Sequence, residues 1–261
     1  MRPMALAGSA LFSWLIAAPA IALPVDLELV LAVDISGSMD TDEQALQRRG
    51  YIEAFLHAEV TAAVRGGPYG RIAATYVEWA GPGAQRVTVP WTLIETAADA
   101  EDFAAGLAEA PRARFRGTSI SGALAFSAPL FENNGYEGLR RVIDVSGDGP
   151  NNAGAPVDAA RDAVVGTGII VNGLPIQITA QPFGLGGRDL AAYYRDCVIG
   201  GPGAFVIPVT EEAQLLEAIR RKLVLEIAGL PAVVFPAAVT GEPATDCLVG
   251  ERLRRTWERE P

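Results

Sequence analysis

The sequence contains very little lysine, histidine and cysteine. Of its 21 lysine and arginine residues only Lys222 is lysine, and there are one histidine, His57, and two cysteines. Because no Gly-x-x-x-x-Gly-Lys segment occurs, nucleotide hydrolysis through a phosphate-binding loop has no support. The Gly-x-Ser-x-Gly spacing is also missing, and His57 falls inside a segment of helical periodicity, so serine hydrolase chemistry is disfavoured.

Positive charge is scarce as well. The 261 residues carry a formal net charge of -10, with 31 acidic residues against 21 basic ones. The phosphates of nucleic acid and the headgroups of an anionic bilayer repel an acidic surface that lacks a concentrated basic patch. We therefore expect neither nucleic acid nor an anionic membrane as a partner.

Long apolar runs that are not bounded by turn residues, as strands are, occur only at the amino terminus. Arg2 is followed by an apolar run over residues 5–16 and by Ala20-Ile21-Ala22, a small-x-small pattern that signal peptidase cleaves. This predicts a signal peptide over residues 1–22, with cleavage after Ala22, and a periplasmic or secreted mature protein. The run is shorter than the roughly 20 apolar residues of a membrane-spanning helix, so we expect no stable membrane insertion after cleavage.

After the amino terminus, apolar strands alternate with amphipathic helices. Strands are predicted at residues 29–33, 71–79, 86–93, 141–145, 169–174 and 204–209, and helices at residues 42–64, 97–110, 119–131, 156–165, 189–197 and 210–227. The short turn Gly81-Pro82-Gly83 makes the second and third strands an antiparallel pair and places the later one at a sheet edge. The pattern predicts an α/β fold, with a doubly wound, mostly parallel sheet, one antiparallel edge strand and helices on both faces.

The alternation stops after Gly229. We therefore expect a domain over residues 23–229 and a C-terminal extension over residues 230–261, which ends in a short surface helix or a loose tail. Cys197 and Cys247 form an even count in an exported chain, which favours a disulfide that docks the extension. Two buried free thiols are the alternative.

Three separate segments carry oxygen-bearing side chains at expected strand ends. Asp34, Ser36 and Ser38 follow the first strand, Thr118 precedes a helix, and Asp148 follows the fourth strand. Because these positions share the carboxyl edge of the sheet, we expect the side chains to converge. Hydroxyls and carboxylates without sulfur or imidazole suit hard divalent cations, and Mg²⁺ keeps part of its coordination open to water. Each side chain alone is also explained by a turn or a helix cap.

The order of these motifs resembles the von Willebrand factor A family, in which Asp-x-Ser-Gly-Ser precedes a Gly-Thr-Ser segment and a later Asp-Gly. The resemblance covers roughly residues 25–229. Within the family, the sequence is similar to a group of exported bacterial proteins of unassigned function that share Ser-Gly-Asp-Gly-Pro-Asn-Asn, here residues 146–152. One departure is Gly147, which replaces the threonine of the family's Thr-Asp-Gly. Ser146 is the candidate substitute for the missing hydroxyl.

The resemblance implies a metal-ion-dependent adhesion site (MIDAS). In this interpretation Ser36, Ser38 and Thr118 bind Mg²⁺, or alternatively Mn²⁺ or Ca²⁺, while Asp34 and Asp148 neutralise the ion directly or through water. An aspartate or glutamate of a partner protein completes the coordination. The implied function is metal-bridged protein binding and not catalysis.

Residues beside this site are candidates for partner contact. If their loop is extended, Arg112, Arg114 and Arg116 share one side of it, where they could steer an acidic partner. The alternative is a solvated loop whose arginines pair with the protein's own carboxylates. Asn151 and Asn152 are candidates for the rim of the site.

Two other interpretations stay open. A Mg²⁺-dependent phosphoester hydrolase also begins with an aspartate after the first strand, but it needs a second aspartate where Ser36 stands and a loop lysine, whereas Lys222 falls in the last predicted helix. A metal site that is permanently capped by the chain's own tail is the other.

Overall fold

The computed structural model describes residues 22–178, 189–229 and 245–258. All of the predicted signal peptide except its last residue, and residues 230–244 and 259–261 of the predicted extension, lie outside these ranges. Within the described part of the chain, no helix is long and apolar enough to cross a membrane.

A five-stranded sheet lies at the centre of the fold. The described residues contain seven strands: β1 (Leu23–Val25), β2 (Leu27–Asp34), β3 (Ile72–Trp79), β4 (Gln85–Ile94), β5 (Tyr136–Gly138), β6 (Arg141–Gly147) and β7 (Ile170–Pro175). The central sheet has the order β4-β3-β2-β6-β7, in which only β3 and β4 are antiparallel, while β1 and β5 form a separate parallel pair. The predicted mostly parallel sheet with one antiparallel edge strand is therefore confirmed.

Helices cover both faces of this sheet. They are α1 (Thr41–Phe55), α2 (Ala58–Arg65), α3 (Ala97–Glu109), α4 (Ile120–Ser127), α5 (Val157–Val165), α6 (Leu190–Tyr193), α7 (Leu215–Ala228) and α8 (Val249–Trp257). A π-helical turn, Tyr194–Val198, continues α6. The side chains of β2 show the arrangement, since Leu29 and Leu31 pack with α1, α2, α3 and α7, while Val30 and Ala32 pack with α4, α5 and α6. Burial on both faces explains why β2 is apolar almost throughout.

The helix predicted at residues 42–64 is wrong in one respect, because it is two helices. The chain leaves the helical conformation at His57, which has an extended backbone with φ -82° and ψ 137°. The His57 side chain accepts a hydrogen bond from the backbone N–H of Glu59 and so caps the start of α2. The apolar periodicity continues across His57, so the sequence pattern does not reveal that one helix ends there and another begins.

The strand predicted at residues 204–209 is also wrong. Only isolated bridges occur there, between Val206 and Gly173 and between Val209 and Ile176. Pro175 of β7 lies between them and has no amide hydrogen to donate to the carbonyl of Ile207, so the parallel ladder is broken at that point.

Candidate metal-binding site

The loop after β2 forms the first part of the site. Asp34 ends the strand, and its Oδ1 accepts a hydrogen bond of 2.7 Å from the backbone N–H of Ser36. Two glutamines of α1 donate hydrogen bonds to this loop. Gln47 donates to the carbonyl of Asp34 at 3.1 Å, and Gln44 donates to the carbonyl of Ser36 at 3.1 Å. The backbone around Asp34 is thus fixed by the helix that follows it.

The hydroxyls of this loop reach the third predicted segment. Ser36 Oγ lies 2.8 Å from Ser38 Oγ, and Ser38 Oγ donates to Asp148 Oδ1 at 2.7 Å. Asp148 follows β6, the strand that pairs with β2, so its position results from the parallel register of the two strands. The side chains of Ser36, Ser38 and Asp148 therefore form one connected group, as the convergence of strand ends predicts.

Thr118 lies on a loop that is held between these two segments. A parallel bridge joins Ser36 to Phe115, and the backbone N–H of Thr118 donates to Asn152 Oδ1 at 3.0 Å. Gly117, with a φ of 84°, lies against Gly81 of the β3–β4 turn so closely that a Cβ added to Gly117 would be 3.3 Å from the Cα of Gly81. Contacts on three sides thus fix the backbone of Thr118, which is buried.

Both carboxyl groups of the site are poorly accessible to water. Asp34 is fully buried, and its Oδ2 has no hydrogen-bond partner among the described residues. Burial and, after it, the charge of Asp148 raise the pKa of Asp34 well above its ordinary value. Burial also raises the pKa of Asp148 to about 6, although the hydrogen bond from Ser38 opposes the change. A cation held between these groups would compensate both their burial and their mutual repulsion.

This donor set fits a hard divalent cation. It offers hydroxyl and carboxylate oxygens, which Mg²⁺, Mn²⁺ and Ca²⁺ accept. In the described ranges, no group of three or more histidine, cysteine, aspartate or glutamate side chains could hold a metal ion. A cation at this place would therefore need the serine and threonine hydroxyls as well as the carboxylates.

The three arginines of the neighbouring loop differ in their surroundings. Arg114 turns toward the loop after β2 and donates to the carbonyls of Gly37, at 2.8 Å, and Met39, at 3.1 Å. Arg112 and Arg116 are exposed. Arg114 therefore holds the loop after β2, whereas the other two are exposed on the loop that leads to Thr118.

A buried acid holds the start of this arginine-containing loop. Glu78 in β3 is 1% exposed and forms ion pairs with Arg48 and Arg86. The same two arginines donate to the backbone carbonyls that follow α3: Arg48 to Ala110 and Arg86 to Pro111, each at 2.7 Å. The chain leading to Thr118 is thus attached to the sheet through Glu78.

The two asparagines after Asp148 lie inside the protein more than sequence reasoning predicts. Asn151 is fully buried, so it does not line the rim. Its Oδ1 accepts from the backbone N–H of Ser121 at 3.0 Å, and its Nδ2 donates to Glu251 Oε1 at 2.6 Å. Asn152 is half-buried and faces Thr118. Both side chains connect loops of the site to one another.

The end of the described chain packs beside these asparagines. Cys197 and Cys247 form a disulfide, as predicted. It positions α8, in which Val249 is buried and Glu251 meets Asn151. This part of the extension is therefore docked on the body of the protein, next to the loop that follows Asp148.

Comparison with known families matches residues 24–231 to a family described as a protein of unknown function, DUF1194. The chain belongs to this family. No curated protein matches the DUF1194 chain. Solved structures that match include a matrix protein of the mussel byssus, with 17% identity, a TM-score of 0.53 and coverage of 79% of this chain and 49% of the mussel chain. A second is the pilus adhesin SpaC of Lactobacillus rhamnosus GG, with 14% identity, a TM-score of 0.56 and coverage of 78% and 31%.

These likenesses concern the fold. A further structure of the mussel protein, at 17% identity and a TM-score of 0.50, has a MIDAS motif occupied by zinc. The DUF1194 chain spans about half of the mussel protein and under a third of the adhesin. Its fold is of the von Willebrand factor A type, as the resemblance of its motifs predicts.

Sequence reasoning overlooked one residue of the DUF1194 site, Tyr194. A Cβ added to Gly147 would lie 2.9 Å from the Tyr194 hydroxyl and 2.9 Å from Asp34 Oδ2, so this hydroxyl occupies the space beside the missing threonine side chain. Ser146, the predicted substitute, instead lies 3.5 Å from the hydroxyl of Tyr51. Tyr194 comes from the π-helical turn after α6, far along the chain, so no local motif points to it.

Proposed function

We propose that the DUF1194 chain is an exported binding protein. In this proposal Asp34, Ser36, Ser38, Thr118 and Asp148 hold a divalent cation, in the first place Mg²⁺, and the cation binds an acidic side chain of a partner protein. The observation that carries the proposal is the fully buried Asp34, whose Oδ2 lacks a hydrogen-bond partner in the described chain and stands beside the connected hydroxyls and carboxylate of the site. The disulfide supports export, because such bonds persist in oxidising compartments.

The surface around the site supports an acidic partner. Arg112 and Arg116 are exposed on the loop that precedes Thr118, and they would attract a carboxylate toward the cation. The zinc-occupied MIDAS of the mussel protein supports a divalent ion at this place in the fold. The serine and threonine donors favour Mg²⁺ over zinc in the DUF1194 chain, because zinc prefers imidazole and thiolate ligands.

Metal binding is tested first, by thermal unfolding of the metal-stripped chain. Mg²⁺ at 100 times its dissociation constant should add about 2.7 kcal/mol of stability. In a chain of this size that raises the midpoint by roughly 5–10 °C. Asp34→Asn should remove the effect of the metal without unfolding the metal-free protein, since it removes a buried charge. Asp42→Asn, at an exposed acid of the first turn of α1, is the matched control and should keep the effect.

Partner binding is tested second, by capture from the native cell envelope. The wild type and Asp42→Asn should retain the same partner in Mg²⁺ and release it in EDTA, and Asp34→Asn should retain none. Capture that is equal in Mg²⁺ and EDTA would contradict the metal bridge. Turnover of phosphoesters that depends on Asp34 would overturn the proposal in favour of a hydrolase.

A further inference from the structure

The chain's only lysine lies in a buried cluster with two acids. Lys222 in α7 places its Nζ 2.5 Å from Asp144 Oδ1 in β6, and it forms a second ion pair with Glu226, one turn further along α7. The side chains of all three residues are at most 1% exposed. The cluster joins α7 to β6, the strand that leads to Asp148.

The surroundings of this cluster hold its groups in place. The ring of Phe205 lies over Lys222 Nζ, with its centroid at 5.2 Å. Asn172 donates to Glu226 Oε1 at 3.0 Å and accepts from the backbone N–H of Phe205 at 3.0 Å. Lys222 Nζ lies 2.5 Å from Asp144 Oδ1, so the amine and the carboxyl group are in direct contact.

The protonation of the two acids suits a condensation. Burial raises the pKa of Asp144 even though Lys222 lowers it. Burial and the charge of Asp144 raise the pKa of Glu226 to about 7. Both shifts favour the protonated form of these carboxyl groups. A neutral carboxylic acid is the form that an amine can attack, and a buried ammonium and carboxylate can relax to neutral amine and acid by proton transfer.

We propose that Lys222 and Asp144 form an intramolecular amide bond, with Glu226 as the group that transfers the protons. Lys222 gives one proton to Glu226, and the neutral Nζ attacks Cγ of protonated Asp144. Glu226 then returns that proton to the departing hydroxyl, and as the tetrahedral intermediate collapses the nitrogen gives its second proton to the freed carboxylate of Glu226. One C–N bond forms, one C–O bond breaks and one water leaves, so no oxidant or reductant is needed. Fixed proximity replaces the encounter that the same reaction requires in solution.

The use of lysine at this position supports the amide. Every other residue among the chain's lysines and arginines is arginine. An arginine can form buried ion pairs, but its guanidinium does not lose its proton in proteins and cannot act as an amine nucleophile. Lys222, the one lysine, thus lies where two carboxyl groups surround its buried Nζ.

The mass of the intact wild-type chain tests this inference directly. The disulfide is reduced first, so that its two hydrogens do not affect the result. We expect a mass one water below that of the reduced sequence, and a tryptic peptide that joins the segment of Asp144 to that of Lys222. The unmodified mass for the folded wild type after prolonged incubation at neutral pH would overturn the proposal. This measurement needs no variant and does not depend on metal binding.

Three variants then identify the roles of the residues. Lys222→Met and Glu226→Gln should show their full sequence masses, because the first lacks the amine and the second lacks the proton carrier. Asp144→Asn should lose ammonia in place of water and reach the same final mass as the wild type. A wild-type water loss that persists in Lys222→Met would place the modification elsewhere and overturn the assignment.

Discussion

Replacing Glu78 by glutamine should destabilise the protein by about 3 kcal/mol, which is the lower end of the range for breaking a buried ion pair. Glu78 is 1% exposed and its partner Arg48 is 11% exposed, so the charge of Arg48 would stay buried without compensation. Arg86 is 35% exposed and can turn to water, and a glutamine can still accept one hydrogen bond, which places the loss at the lower end. For a chain of this size, the midpoint of thermal unfolding should fall by roughly 6–12 °C.

The matched control for this substitution is Glu95→Gln. Glu95 pairs with Arg71 at 3.4 Å and is 44% exposed, so its replacement should change stability by less than about 0.5 kcal/mol. Both variants are compared by denaturant unfolding and by Mg²⁺ titration. Glu78→Gln should also weaken metal binding, because the carbonyls before the Thr118 loop lose their attachment. Equal stability losses for the two variants would refute the assignment of Glu78 as a buried anchor.

Three further predictions concern the site, a helix start and the tail. Gly147→Ala should weaken Mg²⁺ binding in calorimetry, because its methyl group would press against the buried oxygen of the site, whereas Gly149→Ala meets nothing within 4 Å and should bind normally. A hydrogen bond from Thr96, the N-cap of α3, lowers the pKa of Asp99, so Asp99→Asn should be less stable than the wild type at neutral pH. In urea unfolding at a series of pH values, this difference in stability should disappear as the pH falls below 3.8, the ordinary pKa of the carboxyl group. Replacing Cys197 and Cys247 by alanine should cost about 2–5 kcal/mol in the same assay and expose α8 to hydrogen exchange; unchanged exchange there would show that α8 docks without the disulfide.

The sheet was predictable because burial on both faces leaves a simple pattern in the strands. Every residue of β2 is buried, and its apolar run ends at the aspartate that begins the site. The same pattern does not predict where a side chain caps a helix or where a strand lacks a backbone hydrogen-bond donor. His57 interrupts a helix whose apolar periodicity continues, and Pro175 of the neighbouring β7 interrupts the pairing of a segment whose β-propensity is high.

Within the candidate site, the local motifs were readable and the contacts between distant segments were not. Ser36, Ser38 and Asp148 meet as their strand ends predict. The position of Tyr194 depends on how a π-helical turn packs behind β6, and nothing near Gly147 in the sequence specifies it. Asn151 follows Asp148 closely in the sequence, which predicts a place at the rim, but the docked α8 covers it.

The contact between Gly81 and Gly117 implies that substitutions outside the proposed metal ligands would also impair binding. A side chain at Gly81 would collide with the carbonyl of Arg116, and a side chain at Gly117 would meet the backbone of Gly81. A substitution in a surface hairpin turn would therefore displace the loop of Thr118 and resemble the loss of a ligand. Neither glycine should tolerate a side chain, alone or together with the other, because both side chains would need the same space and Gly117 also has a φ of 84°. A site that Gly81 never touches therefore depends on the absence of a side chain there.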